Sequence, residues 1–195
     1  MGRSRSVEIF REYAKAAGET AVYADHIGPG EALPAVRLGY LVAGLNDEIQ
    51  EVLETIDEGW FWTTHVGTAD EIGDVLWYNA RLDWRLAEQD DNEPTMLPLR
   101  SHDFTSGTRA IVLARQARAL ASVVAGKTKK IIRGDDDQEK KARKARQKLL
   151  KMRDVLGQLA KATGDASLKE IATRNVAKLT DRKARGVLKG DGDKR

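Results

Sequence analysis

Apolar residues recur at helical spacing along most of this chain, and nowhere do they alternate as a half-buried strand would. Val7, Phe10, Ala14 and Ala17 mark a first helix over about 6–17, with Ser6 as its N-cap and Gly18 as its stop. The stretch from Tyr23 to Pro34 contains Gly28-Pro29-Gly30 and reads as a loop. Leu41, Leu45, Ile49, Val52, Leu53 and Ile56 form one stripe, predicting a second helix over about 35–57. An aromatic linker with Trp60, Phe61 and Trp62 follows. Ile72, Val75, Leu76, Leu82 and Leu86 then define a third helix, about 68–88.

Residues 90–106 read as a crossover loop, since they hold Pro94, Pro98 and many polar residues. Ile111, Ala114, Ala117, Ala121 and Val124 predict a fourth helix over about 107–133. Gly134-Asp135-Asp136-Asp137 is a turn, and a fifth helix covers about 137–162, stopped by Gly164. Ser167 and Glu170 have capping-box spacing and open a sixth helix to about Leu179. The expected fold is all-α, a bundle of about six helices in one domain spanning 1–195, with an irregular tail over 181–195.

Composition narrows the class. Charged residues are 32% and hydrophobic ones 41%, as in soluble globular chains. The absence of cysteine excludes disulfides and thiolate metal sites and suits a reducing compartment. No apolar run is long enough to span a bilayer, so no membrane partner is expected. The basic start, Met1 to Ser6, is not followed by the apolar core of a signal peptide. These features together predict a cytoplasmic protein. Charge is split: residues 1–100 carry 8 Lys/Arg against 19 Asp/Glu, and the remaining residues carry 25 against 11. An acidic half (6–90) suited to cations thus precedes a basic half (105–180) suited to anions, unless the halves simply attract each other.

The acidic half has a pattern of its own. Glu48 and Glu51 are spaced i, i+3, and so are Glu71 and Asp74. On a helix that spacing places two side chains on one face. Two such helices side by side would gather four carboxylates, which cannot all ionise in a dry site without compensation. A hard divalent cation supplies it, and Mg²⁺ keeps waters that a phosphate can displace. The pattern therefore predicts a metal-dependent phosphoanhydride hydrolase.

Asn46-Asp47-Glu48-Ile49-Gln50-Glu51-Val52, followed by Glu71-Ile72-Gly73-Asp74-Val75-Leu76-Trp77-Tyr78, resembles the MazG-like all-α nucleoside triphosphate pyrophosphohydrolases. The ending Asn175-Val176-Ala177-Lys178-Leu179, with Arg182, is similar to that of phage-carried members. The resemblance covers roughly residues 7–88 and 167–195. It implies Mg²⁺-dependent cleavage (Mn²⁺ as the alternative ion) of the α–β phosphoanhydride of a (deoxy)nucleoside triphosphate, giving the monophosphate and pyrophosphate. It assigns Glu48, Glu51, Glu71 and Asp74 as metal ligands, with Glu48 or Glu51 positioning or deprotonating the attacking water. Asn175, Lys178 and Arg182 would meet phosphate oxygens, and Tyr78 resembles a base-contacting position. Family members pair, which leaves open a homodimer or a lone fused chain.

The fused chain is an expectation because Lys151-Met152-Arg153-Asp154-Val155-Leu156 echoes Glu71-Ile72-Gly73-Asp74-Val75-Leu76. In a degenerate second copy Leu120 and Val123 stand for Glu48 and Glu51, Lys151 stands for Glu71, and Asp154 persists. Lys127, Lys130 or Arg133 would then reach the triphosphate. The competing reading is a pair of unrelated packing helices. Trp60, Trp62, Trp77 and Trp84 read as packing anchors rather than base-stacking groups. His26, His65 and His102 share no metal-ligand spacing. The run Lys140 to Arg146 reads as an exposed helix face. A helical nucleic-acid-binding protein or an inactive scaffold is the alternative function, although four carboxylates would repel a nucleic-acid backbone.

Overall fold

The computed structural model describes residues 12–21, 33–59, 67–88, 108–164 and 167–187. The described residues form six helices and no strand. They are α1 (12–19), α2 (Leu33–Gly59), α3 (Thr68–Ala87), α4 (Thr108–Ile132), α5 (Gln138–Ala162) and α6 (Leu168–Ala184). The fold is all-α, as the periodicity predicts, and none of these helices is long and apolar enough to cross a membrane. Trp60, Trp62, His26, His65, His102 and the tail beyond residue 187 lie outside the described residues.

The helix ends follow local chemistry. Ser167 Oγ accepts from the Glu170 amide, and the Glu170 carboxylate accepts from the Ser167 amide at 2.8 Å, so the capping box forms. Helix α6 runs to Ala184, past the expected end near Leu179, and Gly186 closes it at φ 67°. That left-handed conformation favours glycine, and it turns the chain out of the helix. Helix α2 starts at Leu33, two residues early, because Pro34 fits a first turn whose amide needs no partner. Gly18 does not end α1, which continues to residue 19. A Cβ there would sit 2.8 Å from Arg81 Nη1, so glycine serves close packing on α3.

Helices α2 and α3 form one antiparallel hairpin, and α4 and α5 form another. Helix α2 packs on α4, α3 packs on α5, and α6 packs on α3 near Gly73 and Asp74. The core joins Leu41, Leu45 and Ile49 from α2 with Ile72, Leu76 and Leu82 from α3. Ala114, Ala117, Ala121, Leu149, Met152 and Leu156 complete it from the second hairpin. Helix α3 is central and buried on most sides.

That central position explains a polar network the periodicity does not reveal. Asp83 is wholly buried on α3 and accepts from Arg146 Nε at 2.9 Å and from an Arg153 terminal nitrogen at 2.9 Å. Arg153 Nε also donates to Asn79 Oδ1 at 2.7 Å, and Asn79 Nδ2 donates to the Leu149 carbonyl at 3.1 Å. Burial pulls the Arg153 pKa down, and the Asp83 carboxylate opposes that pull. Arg146 therefore departs from the expected exposed basic face: it ties the second hairpin to the first. Lys140, Arg143 and Lys144 of the same run are exposed as expected.

Candidate metal centre

Glu48 sits on α2 where it faces α3, and antiparallel pairing fixes its register. Thr55 meets Thr68 near the loop, and Gly44 meets Tyr78 further along. Between these contacts, Glu48, Glu71 and Asp74 each bring a carboxylate oxygen within 4.8 Å of the other two. Glu71 is buried, while Glu48 and Asp74 are partly buried. Glu51 is not within that trio. Its charge still reaches Glu48.

Electrostatics mark the trio as strained. Burial raises the Glu48 pKa from 4.5 to about 8, reinforced by the charges of Asp74, Glu51 and Glu71 and opposed by Lys178. A carboxyl pushed this far holds its proton at neutral pH unless a cation replaces it. The all-oxygen donor set suits a hard divalent ion such as Mg²⁺, and not a thiolate-seeking metal.

Helix α6 completes one side. Asn175 Nδ2 donates to Asp74 Oδ1 at 2.6 Å, and Lys178 Nζ pairs with Asp74 Oδ2 at 2.7 Å. Each carboxylate oxygen has a second lone pair, so both bonds are compatible with ligation. Gly73 permits this approach: a Cβ there would stand 3.0 Å from Asn175 Cβ. Tyr13 from α1 donates to Asn175 Oδ1 at 3.3 Å and to the Gly73 carbonyl at 3.4 Å. Burial raises the Tyr13 pKa well above its ordinary value, and the Asp74 charge adds to it. Tyr13 escapes sequence reasoning because its partners are 60 and 162 residues away. Arg182 is one turn beyond Lys178 and partly buried.

Tyr78 is on the trio's side of α3, one turn after Asp74, hydrogen-bonded to Tyr40 of α2 with ring centroids 6.3 Å apart. Its ring covers Gly44, where a Cβ would clash with Cε1. Gly44→Ala should therefore displace the ring and cost about 1–3 kcal/mol, the range for overpacking. Urea unfolding of Gly44→Ala, Tyr78→Ala and the double variant checks this. The double variant should be more stable than the sum of the single losses predicts, because the clash is gone.

The remaining expected residues fall elsewhere. Trp77 is buried and donates to Thr20 Oγ1 at 3.0 Å, and Trp84 packs on the core, so both act as anchors. Lys151 is exposed, Asp154 is partly buried, and Arg133 pairs with Asp135 at 2.6 Å. No protein-family model matches the chain, and no curated protein or solved structure is significantly similar to it.

Proposed function

We propose that this protein is a Mg²⁺-dependent nucleotide pyrophosphohydrolase that converts a (deoxy)nucleoside triphosphate to its monophosphate and pyrophosphate. The observation that carries the reading is the convergence of Glu48, Glu71 and Asp74 within 4.8 Å, beside the cationic Lys178. Carboxylates that repel one another, with an ammonium on their border, suit a cation and a polyanion together.

Glu48, Glu71 and Asp74 would hold the ion, with Glu51 one turn away on the same helix. When bound, Mg²⁺ neutralises phosphate charge and acidifies water. Glu51, outside the trio, accepts the proton of the attacking water. The water oxygen bonds to the α-phosphorus, the bond to the bridging oxygen breaks, and pyrophosphate leaves with the electron pair. Lys178 balances the phosphate charge, Asn175 holds Asp74 in place, and Arg182 supplies a further cation on the same helix. Tyr78 contacts the nucleoside.

The resemblance to MazG-like enzymes supports the reading through the two acidic pairs and the Asn175–Lys178 ending. A fused pseudo-dimer is part of the proposal. The pairing of α2 with α4 and of α3 with α5 is the arrangement that two copies of a hairpin would adopt. In that view the basic second hairpin has lost its acids and keeps a packing role, and cytoplasmic localisation follows from the nucleotide pool it would act on.

The test is a panel of NTPs and dNTPs with Mg²⁺ or Mn²⁺, scored for pyrophosphate and monophosphate. Pyrophosphate release supports the proposal. Orthophosphate as the product, or no turnover together with salt-dependent DNA binding, favours the nucleic-acid-binding alternative or another hydrolase.

A further inference from the structure

Helix α3 carries a less buried stripe on the face of Asp74 and Tyr78. It continues to Arg85, at i, i+4 and i+11, and Arg81 falls in line at i+7. On this face Gly18 of α1 borders Arg81, and Gly44 of α2 borders Tyr78. Arg85 pairs with Glu88 at 3.0 Å. Arg81 differs. It is only 7% exposed, it makes no ion pair among the described residues, and its Nε has no hydrogen-bond partner. Its guanidinium rests against Gly18, where the α1 C-terminal dipole offsets part of its charge. Arg37, one turn before Tyr40 on α2, also has a buried Nε without a partner.

A buried guanidinium nitrogen without a partner is costly, and few native polar groups remain in that state. Arg81 is seven residues from Asp74, about 10 Å along the helix axis. That distance is comparable with the reach from a nucleotide's α-phosphate to the far edge of its base. Tyr78 lies between the two. The order along this face of α3 is therefore carboxylates, phenol, guanidinium, matching phosphate, sugar and base edge.

We propose that Arg81 reads the nucleobase, selecting bases with two neighbouring hydrogen-bond acceptors. This inference rests on the pyrophosphohydrolase reading and names the substrate class within it. Guanidinium is donor-only and forked, so it matches guanine O6 and N7 or cytosine O2 and N3. Adenine places an amino donor beside N7, which leaves one arm of the fork facing a donor.

The experiment compares kcat/KM for the guanine, cytosine and adenine triphosphates in wild type, Arg81→Gln and Arg81→Lys. Calorimetric binding of non-hydrolysable α,β-methylene analogues of GTP, CTP and ATP runs beside it. Wild type should favour guanine or cytosine over adenine by about tenfold or more, as one bidentate contact gives. Both variants should bring that ratio towards one, chiefly through KM, because lysine keeps the charge but lacks the fork. If the Arg81 variants do not fold, Gly18→Ala serves instead, since its Cβ would meet Nη1 at 2.8 Å and shift the fork. Indifference of wild type to the base, or variants that alter all nucleotides equally, overturns the inference while hydrolysis stands. Absence of hydrolysis overturns the enzymatic reading, and selective analogue binding that depends on Arg81 still supports the base-reading role. No analogue binding overturns both.

Discussion

Asp74→Asn is expected to lower pyrophosphate release by about 10²–10³-fold, the scale for losing one preorganised charge contact in a reacting site. Asp74 is bonded on both oxygens from α6, so it links the ligand cluster to Asn175 and Lys178. Asparagine preserves shape and removes one negative charge. The Asp74–Lys178 pair is partly exposed, and its loss should change stability by less than about 1 kcal/mol. Removing the charge also relieves Glu48, for which Asp74 is the largest repulsive neighbour. Steady-state kinetics with parallel urea unfolding separates the two effects. Turnover within threefold of wild type at unchanged stability would remove Asp74 from the mechanism.

The second large effect concerns stability. Asp83→Ala should cost about 3–5 kcal/mol, the range for breaking a buried ion pair, because it removes the carboxylate shared by Arg146 and Arg153. For a chain of this size the melting temperature should fall by roughly 10 °C. Replacing all three residues by apolar ones of similar volume should recover much of the loss, since the charges themselves are costly to bury. Thermal unfolding of the single and triple variants decides the matter. A single-variant loss below about 1 kcal/mol would mean that the network does not hold the two hairpins together.

These two sites were not equally legible in the sequence. The helices were, because each buries one stripe of a 3.6-residue period, and Ser167 with Glu170 announced the start of α6. Glu48, Glu71 and Asp74 were legible because i, i+3 spacing is local. Glu51 looked equivalent by the same rule, yet its carboxylate is not among the three that lie within 4.8 Å of one another. Asp83, Arg146 and Arg153 were not legible as a group: they meet across 63 to 70 residues, and Arg146 sat within a run that reads as solvated. Asn79 and Asp83, two polar residues one turn apart on a helix buried on most sides, were the available signal. Gly73 is similar. Its identity makes sense only once Asn175 is seen against it.

Titration of Mg²⁺ into the metal-free chain by calorimetry, at several pH values and in buffers of different ionisation enthalpy, tests the central claim most directly. The folded Glu48 pKa is raised, so below about 4.5 Glu48 is protonated in both folded and unfolded chains. Between that value and about 8 the unfolded chain ionises first, and metal-free stability declines. An ion bound by the trio must displace the Glu48 proton. The account predicts one ion per chain, a proton released on binding at neutral pH, and affinity that rises about tenfold per pH unit until Glu48 is ionised. Glu48→Gln should abolish the proton release. Saturable binding without proton release, or no binding with all three carboxylates intact, would contradict the account.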